Sequence, residues 1–430
     1  MRISTVTMFE QSTASMNRQQ SDLMKVSQQI ASGRRVVNPS DDPQAASRAV
    51  GVDQAKAVTE QYSDSRVSAR NSLSQTESIL NSVSDAVTSA KTLLIQASSD
   101  TLSDVDRESI ASELKGVYET MLGQANATDG NGRYLFGGYK DNAPPFVKSA
   151  DGSVEYKGDS NVREQRVDAS RLIPANDNGE TIFKSVPSGA GYIAESVKTD
   201  GQGMRLTADE ARNDGTVTFT GPQVSDVNAE GYGENYRIVF TENPDADSGF
   251  DYQVQRFEED AWLTDEGSLV SEGEYTGAGQ QLSFGGINIT LEGEPAEEDE
   301  ILVAQSGGDV RGADLFRTME EAIRVLENPA DDATKKADLR NTLNTAMRDL
   351  DNSLDNVLTV RASAGARLNE LDVIDAVGGN RMLNYEQTLS DLVDLDYAEA
   401  ISEYSLRQVG MQAAQKAFVD IKGLSLFNYM

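Results

Sequence analysis

The sequence predicts an α+β fold: a long antiparallel helical coiled-coil rod formed by both chain ends, with an antiparallel β domain inserted between them. Three observations carry this. At the C-terminal end Val393, Tyr397, Ala400, Tyr404, Met411, Ala414, Phe418 and Ile421 recur at alternating spacings of three and four, as the a and d positions of a coiled coil do. At the other end Phe9, Met16, Leu23 and Ile30 fall at seven-residue intervals, with Val26 filling a second row. Between these half-seams the period changes from helical to strand-like and back, so the chain reads as a palindrome of helices, insertion, helices.

Taken in order, residues 4–32 are helical but polar, with a thin apolar stripe that is marginal in isolation. Gly33 supplies a stop. Ser40 can cap the next helix, Asp41 and Asp42 complement its N-terminal partial charge, and Pro43 suits its first turn. A helix is expected from about Asp42 to Ser98, with heptads at Leu73, Thr76, Leu80, Val83, Val87, Ala90, Leu94 and Ala97. Such a helix would be roughly 80 Å long. A second helix, Asp104 to Ala127, can fold back on it. Beyond the turn at Asp129-Gly130-Asn131-Gly132 come short strands near Val154–Tyr156 and Val162–Val167, and Gly137-Gly138 reads as a tight bend. Strand-like runs at 215–220, 236–241, 250–257, 282–284 and 287–291 make up the insertion, while the acidic run from Glu292 to Glu300 reads as a loop around Pro295. Helices resume at Val310 to Leu326 and from Thr334 to Val377, where Gly378-Gly379-Asn380 reads as a helix end. The expected domains are therefore 1–42 plus 380–430 (terminal coiled coil), 43–186 plus 309–379 (helical rod with a hairpin region) and 187–308 (acidic β domain).

Composition narrows the function. The chain of 430 residues carries 70 acidic and 38 basic residues, a net charge of -32, which argues against nucleic acid or an anionic membrane as partner. From Asn176 to Val310 there are 28 acidic and 6 basic residues, so the excess sits in the insertion. With no His and no Cys the chain cannot build Ser-His-Asp or Cys-His catalysis, a His or thiolate zinc site, or a disulfide. No catalytic residue, cofactor site or metal site is expected, and the chain reads as a non-enzyme. No stretch has the length of a membrane span, and residues 1–10 lack a signal-peptide core.

Matching half-seams at the two ends suit completion by neighbouring copies, a heterologous contact that gives rings or helical filaments. A monomer whose ends pair only with each other fits the same pattern. Arg407 stands at a seam position where leucine is expected, and reads as a possible register device.

The stretch Ile30-Ala31-Ser32-Gly33-Arg34-Arg35-Val36-Val37-Asn38-Pro39-Ser40-Asp41-Asp42-Pro43 resembles the N-terminal signature of the flagellin family. The opening Met1-Arg2-Ile3-Ser4-Thr5, Arg133 to Gly138 with Pro144-Pro145-Phe146, Arg361 to Asn369, and the ending Leu424 to Met430 resemble its hook-to-filament junction branch. The resemblance implies a structural protein of the bacterial flagellum, exported unfolded by the flagellar type III pathway without a cleaved signal. It implies as partners hook-associated protein 1 on the hook side, flagellin on the filament side, copies of the chain itself in a ring, and an export chaperone. The seam residues, Arg407 included, would then serve assembly and chaperone binding, and Gly33, Asn38, Pro39, Ser40, Asp41, Asp42 and Pro43 would be the family motif. Two other readings are a filament flagellin and an extracellular glycan-binding adhesin using Tyr232, Tyr236, Trp262 and Tyr275.

Overall fold

Six α-helices and thirteen strands form among the described residues of the computed structural model, which are 5–149, 152–184, 191–203, 212–246, 248–265, 267–306, 310–311 and 314–427. Side chains within these are described for residue 7 and from residue 10 to residue 420. The helices are α1 (Thr5–Ser32), α2 (Pro43–Ala97), α3 (Asp104–Ala125), α4 (Leu315–Glu327), α5 (Ala333–Val393) and α6 (Tyr397–Phe427). The chain folds as two compact units: residues 1–66, 166–171 and 371–430, and residues 67–165 and 172–370. The divisions at 66/67 and 370/371 fall inside α2 and α5, away from the 42/43 and 379/380 boundaries read from the sequence.

In the larger unit the α2 heptads are buried without exception: Leu73, Thr76, Leu80, Val83, Val87, Ala90, Leu94 and Ala97 are all at most 1% exposed. Those from Leu80 to Ala97 join Leu114 and Met121 of α3, Phe316 and Met319 of α4, and Leu343, Leu350 and Val357 of α5 in one core. Antiparallel pairing of α2 with α5 is marked by Lys91–Asp351 (2.5 Å) and Arg361–Glu77 (2.8 Å). α3 begins with a reciprocal capping box between Ser103 and Asp106. The hairpin region adds β1 (Phe146–Lys148), β2 (Val154–Tyr156) and the pair β3 (Glu164–Asp168) and β4 (Arg171–Pro174). Phe136, Phe146 and Phe183 meet edge to face with centroids 5.3 to 5.5 Å apart, closing the core beneath the Gly137-Gly138 bend. Gly138 holds φ +66° there, and a Cβ would come within 2.7 Å of the Asp159 carbonyl.

The insertion is an antiparallel sandwich. One sheet has the order β10 (Ser271–Glu274), β8 (Phe250–Glu258), β7 (Asn235–Glu242), β13 (Glu300–Gln305), β5 (Tyr192–Glu195), with β9 (Ala261–Trp262) against β8. The other has the order β11 (Ala278–Phe284), β12 (Ile287–Glu292), β6 (Thr218–Val224). Phe219, Tyr236, Phe240, Tyr275, Phe284, Ile289 and Leu291 fill the space between them. Tyr236, Tyr275 and Trp262 are thus core residues, and only Tyr232 of the four aromatics considered for glycan stacking is appreciably exposed, at 36%.

The expected loop from Glu292 to Glu300 is corrected at its end. Asp299 is fully buried and accepts from the backbone N–H groups of Asp214, Gly215 and Ala296, each at 2.9 Å. Glu300 opens β13, accepts from Thr199 and pairs with Arg237 at 2.9 Å. β13, with its apolar run Ile301-Leu302-Val303-Ala304, lies in mid-sheet between β7 and β5. Continuous apolar runs of this kind are the mark of a strand covered on both faces.

Polar side chains on one face of α5 hold the sandwich. Asn341 donates to Val217 O (2.8 Å) and accepts from Phe219 N (3.3 Å), Thr345 donates to Ala194 O (2.6 Å), and Arg348 donates to Pro222 O (3.0 Å). Fully buried Arg311 is bidentate to Asp349 (2.9 and 2.7 Å) and also reaches Glu195 of β5 (2.7 Å). Burial works against its charge, yet the two carboxylates prevail and hold the proton more firmly than in water.

The Gly378-Gly379-Asn380 break is also corrected, because α5 continues through it to Val393. The reason is tertiary. Arg66 of α2 is 3% exposed, pairs with Asp375 and donates to Val167 O (3.0 Å). A Cβ at Gly378 would stand 2.7 Å from the Arg66 guanidinium, whereas Gly379 has open space. Gly378 makes room for an arginine. We expect Gly379→Ala to stabilise the protein by up to about 1 kcal/mol through helix propensity. Gly378→Val should instead cost about 1–3 kcal/mol by displacing Arg66, and thermal unfolding followed by circular dichroism distinguishes the two.

Candidate assembly interface at the chain termini

The smaller unit brings the two ends of the chain together as a helix pair. α1 is polar and β-branched residues are few in it, so it is helix-permissive but has little apolar surface of its own. It runs antiparallel to α6: Gly33 lies against Tyr397, Asp22 against Arg407, and Gln19 against Gly410. A residue on α1 therefore faces the one on α6 that brings the two residue numbers to a nearly constant sum. Most of the seam positions read from the sequence lie on these two helices, Val393 being on α5. Val26 (4%) and Ala400 (5%) are buried, while Met16, Leu23, Ile30, Tyr404, Met411, Ala414 and Phe418 are half-buried. The side chains of Phe9 and Ile421 lie outside those described, as do residues 1–4 and 428–430 and the side chains of Leu424 to Phe427.

Two corrections concern the tail. Its helix is interrupted at 394–396, so Met382 to Val393 ends α5 and only Tyr397 onwards forms α6. Asp396 caps the new start, accepting from Ala398 N at 2.8 Å. Tyr397 is 51% exposed, because it sits at the end of the pair over Gly33.

The motif segment is the stitch between these helices. Gly33 takes φ +70°, and a Cβ there would meet Tyr397 Oη at 2.9 Å, so both backbone and neighbour require glycine. Arg35 N donates to Val393 O (2.7 Å), Leu395 N to Gly33 O (3.0 Å), and Arg34 bridges Asp394 in antiparallel fashion. Arg35 Nη2 also donates to Leu392 O at 2.7 Å. The break between α5 and α6 is thereby tied to the segment after α1.

The cap of α2 is Asp42 and not Ser40. Its carboxylate accepts from Ala45 N at 3.0 Å, and Pro43 is the first residue of the helix. Asp41 instead closes the preceding turn around Asn38-Pro39-Ser40, accepting from Val37 N (3.2 Å) and Asn38 N (2.9 Å) and pairing with Lys25 of α1 (3.1 Å). Both carboxyls are held below their ordinary range, Asp41 chiefly by the Asn38 N–H and Lys25, Asp42 chiefly by the Ala45 N–H and Arg35.

Arg407, the charge in the seam, reaches Asp22 on α1 (2.5 Å) and Glu403 one turn back (3.1 Å). Half-exposed pairs contribute little stability, so the effect expected is on register. Charge reversal at either position alone should lower incorporation into the assembly, and Asp22→Lys combined with Arg407→Glu should restore it. The coupling energy in thermal melts should be about 0.5–1 kcal/mol; failure of the swap to restore assembly would return Arg407 to the solvated surface.

Sequence reading missed Arg66 and Asp375, and the use of Gly378, which brace α2 against α5 together with Lys56–Glu386 (3.1 Å), while Arg381 of α5 pairs with Asp168 of β3 (3.0 Å). The adjacent glycines inside a long helical pattern were the available signal. Among the described residues no group of three or more His, Cys, Asp or Glu is placed to hold a metal ion, and no helix is long and apolar enough to cross a membrane.

The chain is similar to known proteins over its whole length. The profile of the bacterial flagellin N-terminal helical region matches residues 3–141. Flagellar hook-associated protein 3 of Escherichia coli strain K12 is 32% identical over 428 residues, spanning 99% of each chain. Its counterpart in Salmonella typhimurium is 30% identical over 427 residues, again 99% of each. Among solved structures, FlgL of Xanthomonas campestris superposes with a TM-score of 0.63 at 28% identity, covering 79% of this chain and 99% of that one. Hook-associated protein 3 of Legionella pneumophila gives 0.65 at 25% identity, covering 79% and 98%. Identity at this level across the whole length, together with the shared fold, shows that the chain belongs to the flagellar hook-associated protein 3 family.

Proposed function

We propose that this chain is a structural subunit of the bacterial flagellum that forms the junction between hook and filament. The observation that carries the reading is full-length similarity to hook-associated protein 3, covering the sandwich as well as the flagellin-like N-terminal region. The terminal helix pair supports it physically. One face of α6 meets α1, yet Ile401 (54%), Leu406 (74%), Val409 (65%) and Val419 (63%) remain exposed, with Met24 (58%) on α1. Apolar surface of this extent in an otherwise acidic chain is surface kept for neighbours.

In finer detail, the pair would be covered by further copies in a ring, with hook-associated protein 1 on one side and flagellin on the other. Before secretion, an export chaperone would hold α6. Export as an extended chain through the flagellar type III channel fits the absence of cysteine, and the empty catalytic inventory fits a non-enzyme. The test is a deletion strain. We expect complete hooks, no attached filaments and flagellin lost to the medium, with all three reversed by the cloned gene; normal filaments in the deletion strain would overturn the reading.

A further inference from the structure

The two longest uncharged runs between Asn176 and Val310 are the 17 residues from Tyr275 to Leu291 and the 11 from Gly215 to Ser225. They lie in a stretch with 28 acidic and 6 basic residues, and the fold puts them side by side as the β11–β12–β6 sheet. Inward residues Phe219, Leu282, Phe284 and Ile289 are core. Outward, Gln281 stands opposite Thr290 and Thr290 opposite Thr220, while Ser283 stands opposite Asn288 and Asn288 opposite Gln223. Ser283, Thr220 and Gln223 are exposed, as is Gln281 in the main, and the other two are half-exposed. Glu292, opposite Thr218, marks the limit of the uncharged face at one end. The other sheet differs: its edge strand β10 exposes Glu272 and Glu274.

We propose that the outer face of the β11–β12–β6 sheet docks against the acidic sandwich surface of a neighbouring copy of this chain. The proposal rests on the reading that copies stand side by side in the assembly. Two copies of net charge -32 repel wherever acidic surfaces come within roughly a Debye length, about 8–10 Å. A face without charge avoids this penalty. Its Gln and Asn amides and Ser and Thr hydroxyls also supply donors for the neighbour's carboxylates. The contact is heterologous, as closure of a ring requires. Six outward side chains fall well below the roughly 800 Å² per partner of a standard interface, so the contact operates at the high effective concentration of the assembly.

The test uses the full-length chain in isolated flagella. The photoreactive residue p-benzoylphenylalanine replaces Gln281 or Ser283, with exposed Glu108 of α3, outside the sandwich, as control. Irradiation should give about tenfold more adduct from positions 281 and 283 than from 108, and its mass and peptides should be those of two copies of this chain. Adducts with a different protein, or equal yields at all three positions, overturn the inference. Should the bulky residue at 281 and 283 block incorporation, Gln281→Cys and Ser283→Cys replace it in this cysteine-free chain. Their maleimide labelling should slow about tenfold on assembly while Glu108→Cys is unaffected; equal labelling overturns the inference. Absence of the unsubstituted chain from flagella would count against the junction reading itself.

Discussion

Arg311→Met is expected to lower the stability of the sandwich and its α5 support by about 3–5 kcal/mol, the largest effect of any single substitution considered. Arg311 is fully enclosed and holds Asp349 through two hydrogen bonds and Glu195 through one. Methionine would fill most of the volume but leave the Asp349 carboxylate buried without its two hydrogen bonds to a guanidinium, with only the longer-range pull of Arg348 remaining. Glu195 retains Arg317 at 3.3 Å and suffers less. The penalty is therefore that of a poorly compensated charge and not of lost packing, which gives a second expectation: Arg311→Met with Asp349→Leu should recover more than half of the loss. Trp262, the only tryptophan, is 6% exposed in the same sheet as Glu195, so its fluorescence in urea reports on this region alone. A loss below about 1 kcal/mol in the single variant would show that water reaches the cluster and screens it.

How legible these features were depended on how far away their partners lie. The α2 heptads from Leu73 to Ala97 could be read directly, because a helix packed along its length repeats its environment every 3.5 residues. The half-seams from Met16 to Ile30 and from Ala400 to Phe418 were legible for the same reason. The paired state was not, since period alone does not say whether the partner belongs to the same chain. Gly378-Gly379 misled because glycine carries a local signal of helix ending, whereas its use here is space for a guanidinium more than 300 residues away. Asp299, Glu300 and Arg311 resembled solvated charges, and nothing local shows that Asp214, Arg237 and Asp349 satisfy them. Asn341, Thr345 and Arg348 recur at helical spacing, but a polar stripe on a helix normally faces water, so its use against β6 and β5 was hidden. The motif from Gly33 to Pro43 stood out as a pattern; its tie to residues 392–395 needed the fold.

Ending the chain at Asp396, which removes α6, should abolish incorporation into flagella altogether. The truncation leaves α5 intact to Val393, along with the Arg34–Asp394 bridge and the Arg35–Val393 hydrogen bond. What disappears is the helix packed along α1 near Val26, the partner of Asp22, and the Tyr397 hydroxyl that lies against Gly33. A polar helix of 28 residues with a thin apolar stripe is marginal alone in water. Circular dichroism should therefore lose more than the 31 residues of α6, because α1 melts with it. Trp262 fluorescence should be unchanged, since the sandwich makes its own core. The same variant should lose the export chaperone if α6 is its target, which calorimetry on the purified chain measures directly. Normal incorporation of the truncated chain would mean that the exposed apolar residues from Ile401 to Val419 are not an assembly surface. A loss of helix limited to α6 would show that α1 is held by something other than its partner at the far end of the chain.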